Sequence, residues 1–116
     1  MTGKPIAAQQ QELIIRLRTL LADEPTLREV TMFGGRSFMI NEKMIVSALQ
    51  SGNLLVRTAA DDHEELITRP GAGQAEMGRG RSMGPGWIEV EAATLADGGL
   101  SHWLGIALDH NHDVTS

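Results

Sequence analysis

Two residues, Asn41-Glu42, separate the apolar runs 36–40 and 43–49, and this spacing constrains the chain more than any other stretch. Asparagine tolerates the positive φ that a two-residue hairpin turn demands, whereas glutamate is a poor substitute for glycine at the second position. The stretch predicts an antiparallel hairpin in which Met39 opposes Met44 and Phe38 opposes Ile45. That register puts Met39, Met44, Val46 and Ala48 on one face, with Phe38, Ile40, Ile45 and Leu49 on the other. Both faces are apolar, so a helix layer covers one, and the other needs a second helix layer or a second subunit. Upstream, 27–33 reads as a strand with β-branched Val30-Thr31 at its centre. Gly34-Gly35 then supplies backbone freedom for a turn, a bulge or a close approach.

Helices flank this sheet in the pattern. Leu13, Ile14, Leu17, Leu20 and Leu21 recur at three- and four-residue steps, which predicts an amphipathic helix over about 5–23, ended by Asp23-Glu24-Pro25. Residues 54–58 read as a further strand and 60–67 as a short helix with acidic residues in its first turn, where the helix dipole favours them. From 70 to 85 glycine and proline punctuate the chain so densely that it reads as a long loop or a very irregular strand. Alternation returns at 86–91, with Trp87 as a packing residue. Leu100, Trp103, Leu104, Ala107 and Leu108 then mark a final helix. The polar end, about 110–116, reads as a flexible tail. The expected architecture is α+β: one two-layer domain over 1–116, with an antiparallel sheet of about five strands, an N-terminal helix, a short middle helix and a C-terminal helix.

Ten Lys and Arg against 15 Asp and Glu give a formal charge of −5, so DNA binding is disfavoured unless a local basic patch exists. The chain has no cysteine, which excludes disulfides, thiolate catalysis and Cys-ligated zinc and suits a reducing cytoplasm. No apolar run approaches the length of a membrane span. With two Phe, two Trp and no Tyr, the core must rely on aliphatic residues and the six Met.

Candidate chemistry is sparse. Arg79 and Arg81 form the one concentration of positive charge, in a Gly-rich frame, and Arg36 and the Gly34-Gly35 amides could join them around a phosphate. These five residues are the candidate ligand site. Asp61 to Glu65 contain metal-ligand residue types, but consecutive helix positions diverge, so the run reads as a helix start. His110-X-His112 has ligand spacing only if extended, and fraying is the simpler reading. The serines at 37, 47, 51, 82 and 101 lack the context of a nucleophile. The glycines lead into strands, unlike those of a dinucleotide site. No catalytic residue, metal or cofactor is assigned.

Met32-Phe33-Gly34-Gly35, Phe38-Met39-Ile40-Asn41 with Lys43-Met44, Leu54-Leu55-Val56-Arg57, Arg69-Pro70-Gly71-Ala72, Gly80-Arg81 with Met83, and Gly86-Trp87-Ile88 occur in this order. Together they resemble the TfoX N-terminal domain family over about 27–108. The resemblance implies a small α+β domain with no established catalytic residue or cofactor. The family takes its name from a bacterial regulator of DNA-uptake competence, which assists transcription and has a second, C-terminal domain. The resulting expectation is a cytoplasmic, non-enzymatic interaction or regulatory module. It is expected to form a homodimer or bind another protein partner. The alternative is a protein that binds phosphate or a nucleic-acid backbone.

Overall fold

The computed structural model describes residues 6–32, 35–77, 80–96 and 98–115. In chain order the elements are α1 (Ile6–Leu20), β1 (Arg28–Met32), β2 (Gly35–Ile40), β3 (Lys43–Leu49), β4 (Leu54–Arg57), α2 (His63–Leu66), β5 (Ala72–Gln74), β6 (Trp87–Val90) and α3 (Gly99–Thr115). Single 3₁₀ turns at Ala60–Asp62 and Ala92–Leu95 precede α2 and α3. The strands form one antiparallel sheet in the order β1-β2-β3-β4-β6-β5. It has six strands, in line with the expected sheet of about five; Ala72–Gln74, inside the stretch read as a long loop or a very irregular strand, pairs with β6.

The hairpin at the centre of the pattern forms as predicted at its tip. Asn41 and Glu42 have φ of 54° and 64°, the two positive values of a type I′ turn, and Ile40 pairs with Lys43 and Met39 with Met44. One residue further the register shifts: Phe38 pairs with Val46, so Ile45 is an extra residue in β3. The predicted faces are therefore corrected. Val46 and Ala48 share the face of Phe38, together with the bulged Ile45, while Leu49 lies on the face of Met39 and Met44. Glutamate at the second turn position sits in a backbone region that L side chains occupy at a cost of about 1 kcal/mol. Its exposed ion pair with Arg28, at 3.1 Å, offsets little of that. Glu42→Gly is accordingly expected to stabilise the domain by about 0.5–1 kcal/mol, seen as a higher urea midpoint.

All the helices pack on the Phe38 face. Leu13, Ile14, Leu17 and Leu21 of the α1 region, Leu66 of α2, and Leu100, Trp103, Leu104 and Ala107 of α3 form one buried cluster with Phe38, Ile45, Val46, Leu54, Val56, Ile88 and Val90. Leu20, expected on the buried stripe, is instead 46% exposed, because the stripe on α1 passes through 13, 14, 17 and 21. The tail expected from 110 is helical to Thr115. Asn111 is buried, and its Nδ2 donates to the Ile40 carbonyl at 3.0 Å. The Asn41 side chain donates to Thr115 Oγ1 at 3.2 Å. These long-range bonds hold a polar helix end in place, which periodicity alone does not foresee. No described helix is long and apolar enough to cross a membrane.

Candidate functional site

Of the five residues expected to hold a ligand, three are described, and each has its own setting. Gly34 and Arg79 lie outside the described residues. Gly35 serves close packing: a Cβ there would lie 2.3 Å from the Ala48 carbonyl oxygen. Arg36 pairs with Ala48 on the helix side of the sheet and donates to Glu29 at 3.1 Å. Glu29 also accepts two bonds from Arg18 of α1, at 2.7 and 2.8 Å. The hydrogen bond from Arg18 holds the Glu29 carboxyl below its ordinary range against a smaller opposing effect of burial, with Arg36 assisting. The Arg18–Glu29 pair thus ties α1 to the sheet, and Arg36 supports Glu29 from the neighbouring strand. Arg81 is exposed, in an arm that follows β5.

That arm is ordered by its own bonds. Ala75 donates to the Trp87 carbonyl at 3.1 Å, Met83 to Ala75 at 2.9 Å and Met77 to Arg81 at 2.7 Å. The Gln74 side-chain amide reaches the carbonyls of Gly84 and Trp87 at 3.0 and 3.2 Å. The arm folds over the sheet face opposite the helices, where Ala75, Met77 and Met83 meet Leu49 and Leu55. Leu55 and Ala75 are buried there and belong to no part of the helix-side cluster.

The rest of that face carries no described helix. Strand pairing sets Ser37, Ser47, Leu55 and Glu89 in one row across it. The row of Met32, Gly35 and Leu49 flanks it on one side, and the row of Arg28, Met39 and Met44 on the other. Ser37 and Ser47 are buried and joined by a 2.9 Å hydroxyl bond, whereas Met32, Met39, Met44 and Leu49 are each half-buried. The result is a narrow groove whose floor, Ser37 and Ser47, is buried between half-buried Met32, Leu49, Met39 and Met44, with Arg28 and Val30 at the β1 end and the arm at the other.

A second feature lies where the bulge ends the pairing of β3 with β4 at Val46 and Val56. Beyond that point the strand ends diverge, and α3 roofs the gap. The cleft so formed, about 280 Å³, is lined by Lys43, Met44, Ile45, Arg57, Trp87, Ala107, His110, Asn111 and Val114. The Arg57 guanidinium lies 4.7 Å from the Trp87 ring centroid, a cation–π contact, so Trp87 is half-exposed at a cleft rather than a core packing residue. Burial lowers the pKa of His110, and the nearby Arg57 adds to this, with Asp113 and Asp62 opposing. Asn111 Oδ1 is the one buried side-chain polar atom without a partner among the described residues. His63, from the acidic run, turns inward: its Nδ1 accepts the Gly86 N–H at 2.9 Å, which requires a lone pair at that nitrogen. No three described His, Asp or Glu side chains are grouped to hold a metal ion.

A family model, the TfoX N-terminal domain, matches residues 19–111, most of the chain. The chain belongs to this family. No curated protein gives a significant match. Several residues that carry the TfoX resemblance converge in space although they are far apart in sequence. Lys43, Met44, Arg57 and Trp87 line the cleft, and Gly86, next to Trp87, donates to His63. Met32, Gly35, Met39 and Met83 belong to the face with the groove or to the arm on it. Sequence reasoning missed the cleft because Arg57 and Trp87 each look unremarkable alone. The available signal was that both end apolar strands of similar length, which lets them pair side by side.

Proposed function

We propose that the domain is a non-enzymatic TfoX-like interaction module that docks a protein chain, first of all a second copy of itself, on its methionine-lined sheet face. The observation that carries this reading is the groove: Ser37 and Ser47 between apolar ridges that include Met32, Leu49, Met39 and Met44, with every described buried helix side chain on the opposite face. Methionine is flexible and polarisable, and such side chains suit a surface that must adapt to a partner. A two-fold copy can lay its own ridge into the groove, since an isologous contact needs only a patch that complements itself. A regulatory role linked to transcription, in the cytoplasm, follows the TfoX resemblance and is part of the same proposal.

The test is sedimentation velocity at high micromolar protein, with no ligand added. The wild type is expected to be a dimer. Met39→Glu combined with Met44→Glu puts two carboxylates on one ridge and is expected to weaken self-association by about 100-fold or more, with an unchanged far-UV spectrum. A monomeric wild type, or a double variant that still dimerises, would sink the self-docking reading. The phosphate alternative draws less support from the described residues, because Arg36 is engaged by Glu29.

A further inference from the structure

We infer that the cleft between the diverging ends of β3 and β4 and the roof of α3 is a binding site for a small aromatic monocarboxylate. The cleft shares Met44 with the sheet face proposed for docking, so its test relies on Arg57 and Val114, which the docking test leaves untouched. Charge is the first argument. The chain carries a formal charge of −5, and four other clefts on the described surface each have at least one Asp or Glu in their walls. This cleft has none, and it has Arg57 inside and Lys43 at its rim. Neither cation makes an ion pair among the described residues. The only hydrogen bond of the Arg57 guanidinium to a described group is a long one, 3.5 Å to the Pro85 carbonyl. Its N–H fork is therefore available to a carboxylate.

The second argument is shape and surface. Met44, Ile45, Ala107 and Val114 make the remaining walls apolar. A volume of about 280 Å³ is at the small end for ligand pockets and suits a single ring. Trp87 already covers one face of the Arg57 guanidinium at 4.7 Å, which holds that group in place with its N–H edge left for the carboxylate, while the ligand ring lies against the apolar walls. The third argument is polarity at the floor. Asn111 uses its Nδ2 on Ile40 and leaves Oδ1 without a donor. Ligand N–H or O–H groups would complete it. The cleft also faces the last turns of α3, whose negative dipole end opposes any anion and a phosphate dianion most, so the attraction for a carboxylate comes from Arg57 and Lys43.

The experiment is a titration of the isotope-labelled full chain followed by NMR, with benzoate, 4-aminobenzoate, benzamide and inorganic phosphate as probes. Benzoate is expected to shift the Trp87 indole and the Asn111 side-chain amide saturably. 4-Aminobenzoate is expected to bind roughly fivefold more tightly, through one added hydrogen bond. Benzamide and phosphate are expected to give no saturable shift. Arg57→Gln removes the fork, and Val114→Trp fills the cleft from a position that is 48% exposed. Each is expected to abolish the benzoate shifts while the rest of the spectrum stays folded, and if Arg57→Gln fails to fold, Val114→Trp alone decides. Absence of saturation with benzoate, equal binding of benzamide, or undiminished binding by the folded Val114→Trp variant would overturn the inference.

Discussion

Gly35→Ala is expected to destabilise the domain by about 3 kcal/mol or more, toward the upper end of what overpacking costs. The added Cβ would sit 2.3 Å from the Ala48 carbonyl oxygen and 3.0 Å from the Ala48 carbonyl carbon and the Leu49 Cα. All three atoms are backbone, so no side chain can swing away. The strands must separate instead, and Gly35 pairs with Met32 on one side and Leu49 on the other. Two ladders are strained by one methyl group. Single domains are stable by only about 5–15 kcal/mol, so the loss is a large share of the total and should appear as a clear fall in the urea midpoint. Gly73→Ala is the control, since a Cβ there meets nothing within 4 Å. If the two variants unfold together, the close approach at Gly35 is not what constrains the sheet.

Gly86→Ala is the second large effect, expected at about 3 kcal/mol from two causes. Gly86 has φ of +89°, a region that costs an L residue about 1–2 kcal/mol. Its Cβ would also lie 2.7 Å from the Thr58 carbonyl oxygen and 2.7 Å from Arg57 Nη1. Arg57 can move, but the Thr58 carbonyl cannot, because the Gly86 carbonyl is held by the Thr58 N–H at 2.8 Å. The Gly86 N–H bond to His63 Nδ1 would be lost or bent, which leaves a buried ring nitrogen without its donor. Because Arg57 is pushed off Trp87, the variant should change tryptophan fluorescence in the folded state as well as lowering the unfolding midpoint. A lower midpoint with unchanged folded fluorescence would mean that Gly86 supports the fold without positioning the Arg57–Trp87 pair.

Local chemistry made much of this fold readable. The two-residue turn at Asn41-Glu42, the amphipathic stripe Leu13-Ile14-Leu17-Leu21 and the alternation at 86–91 each depend on neighbours in sequence, and each formed. The misses depend on contacts between distant segments. The bulge at Ile45 is set by what Phe38 and Val46 must bury, so the hairpin pattern assigned Val46, Ala48 and Leu49 to the wrong faces. β5 was hidden because glycine-rich residues carry no strand preference, and its bonds come from β6. Helix α3 runs past 110 because Asn111 reaches Ile40, 71 positions earlier. One member of the candidate site, Arg36, has a setting that charge alone does not foresee. Arg36 was grouped with the Gly-rich stretch by charge, but its place in β2 turns it toward Glu29 and α1.

The bonds that fasten α3 to the hairpin tip also bear on the order of assembly. Strands β1 to β4 are neighbours in space in the same order as in the chain, so their loops close over short distances and at low entropic cost. The Asn111–Ile40 and Asn41–Thr115 bonds instead span 71 and 74 positions. During synthesis the meander leaves the ribosome well before α3, with Phe38, Ile45 and Val56 bare on the face that α3 will cover. Nascent chains would pass through a half-built sheet whose apolar side is open, and docking of α3 is the event that closes it.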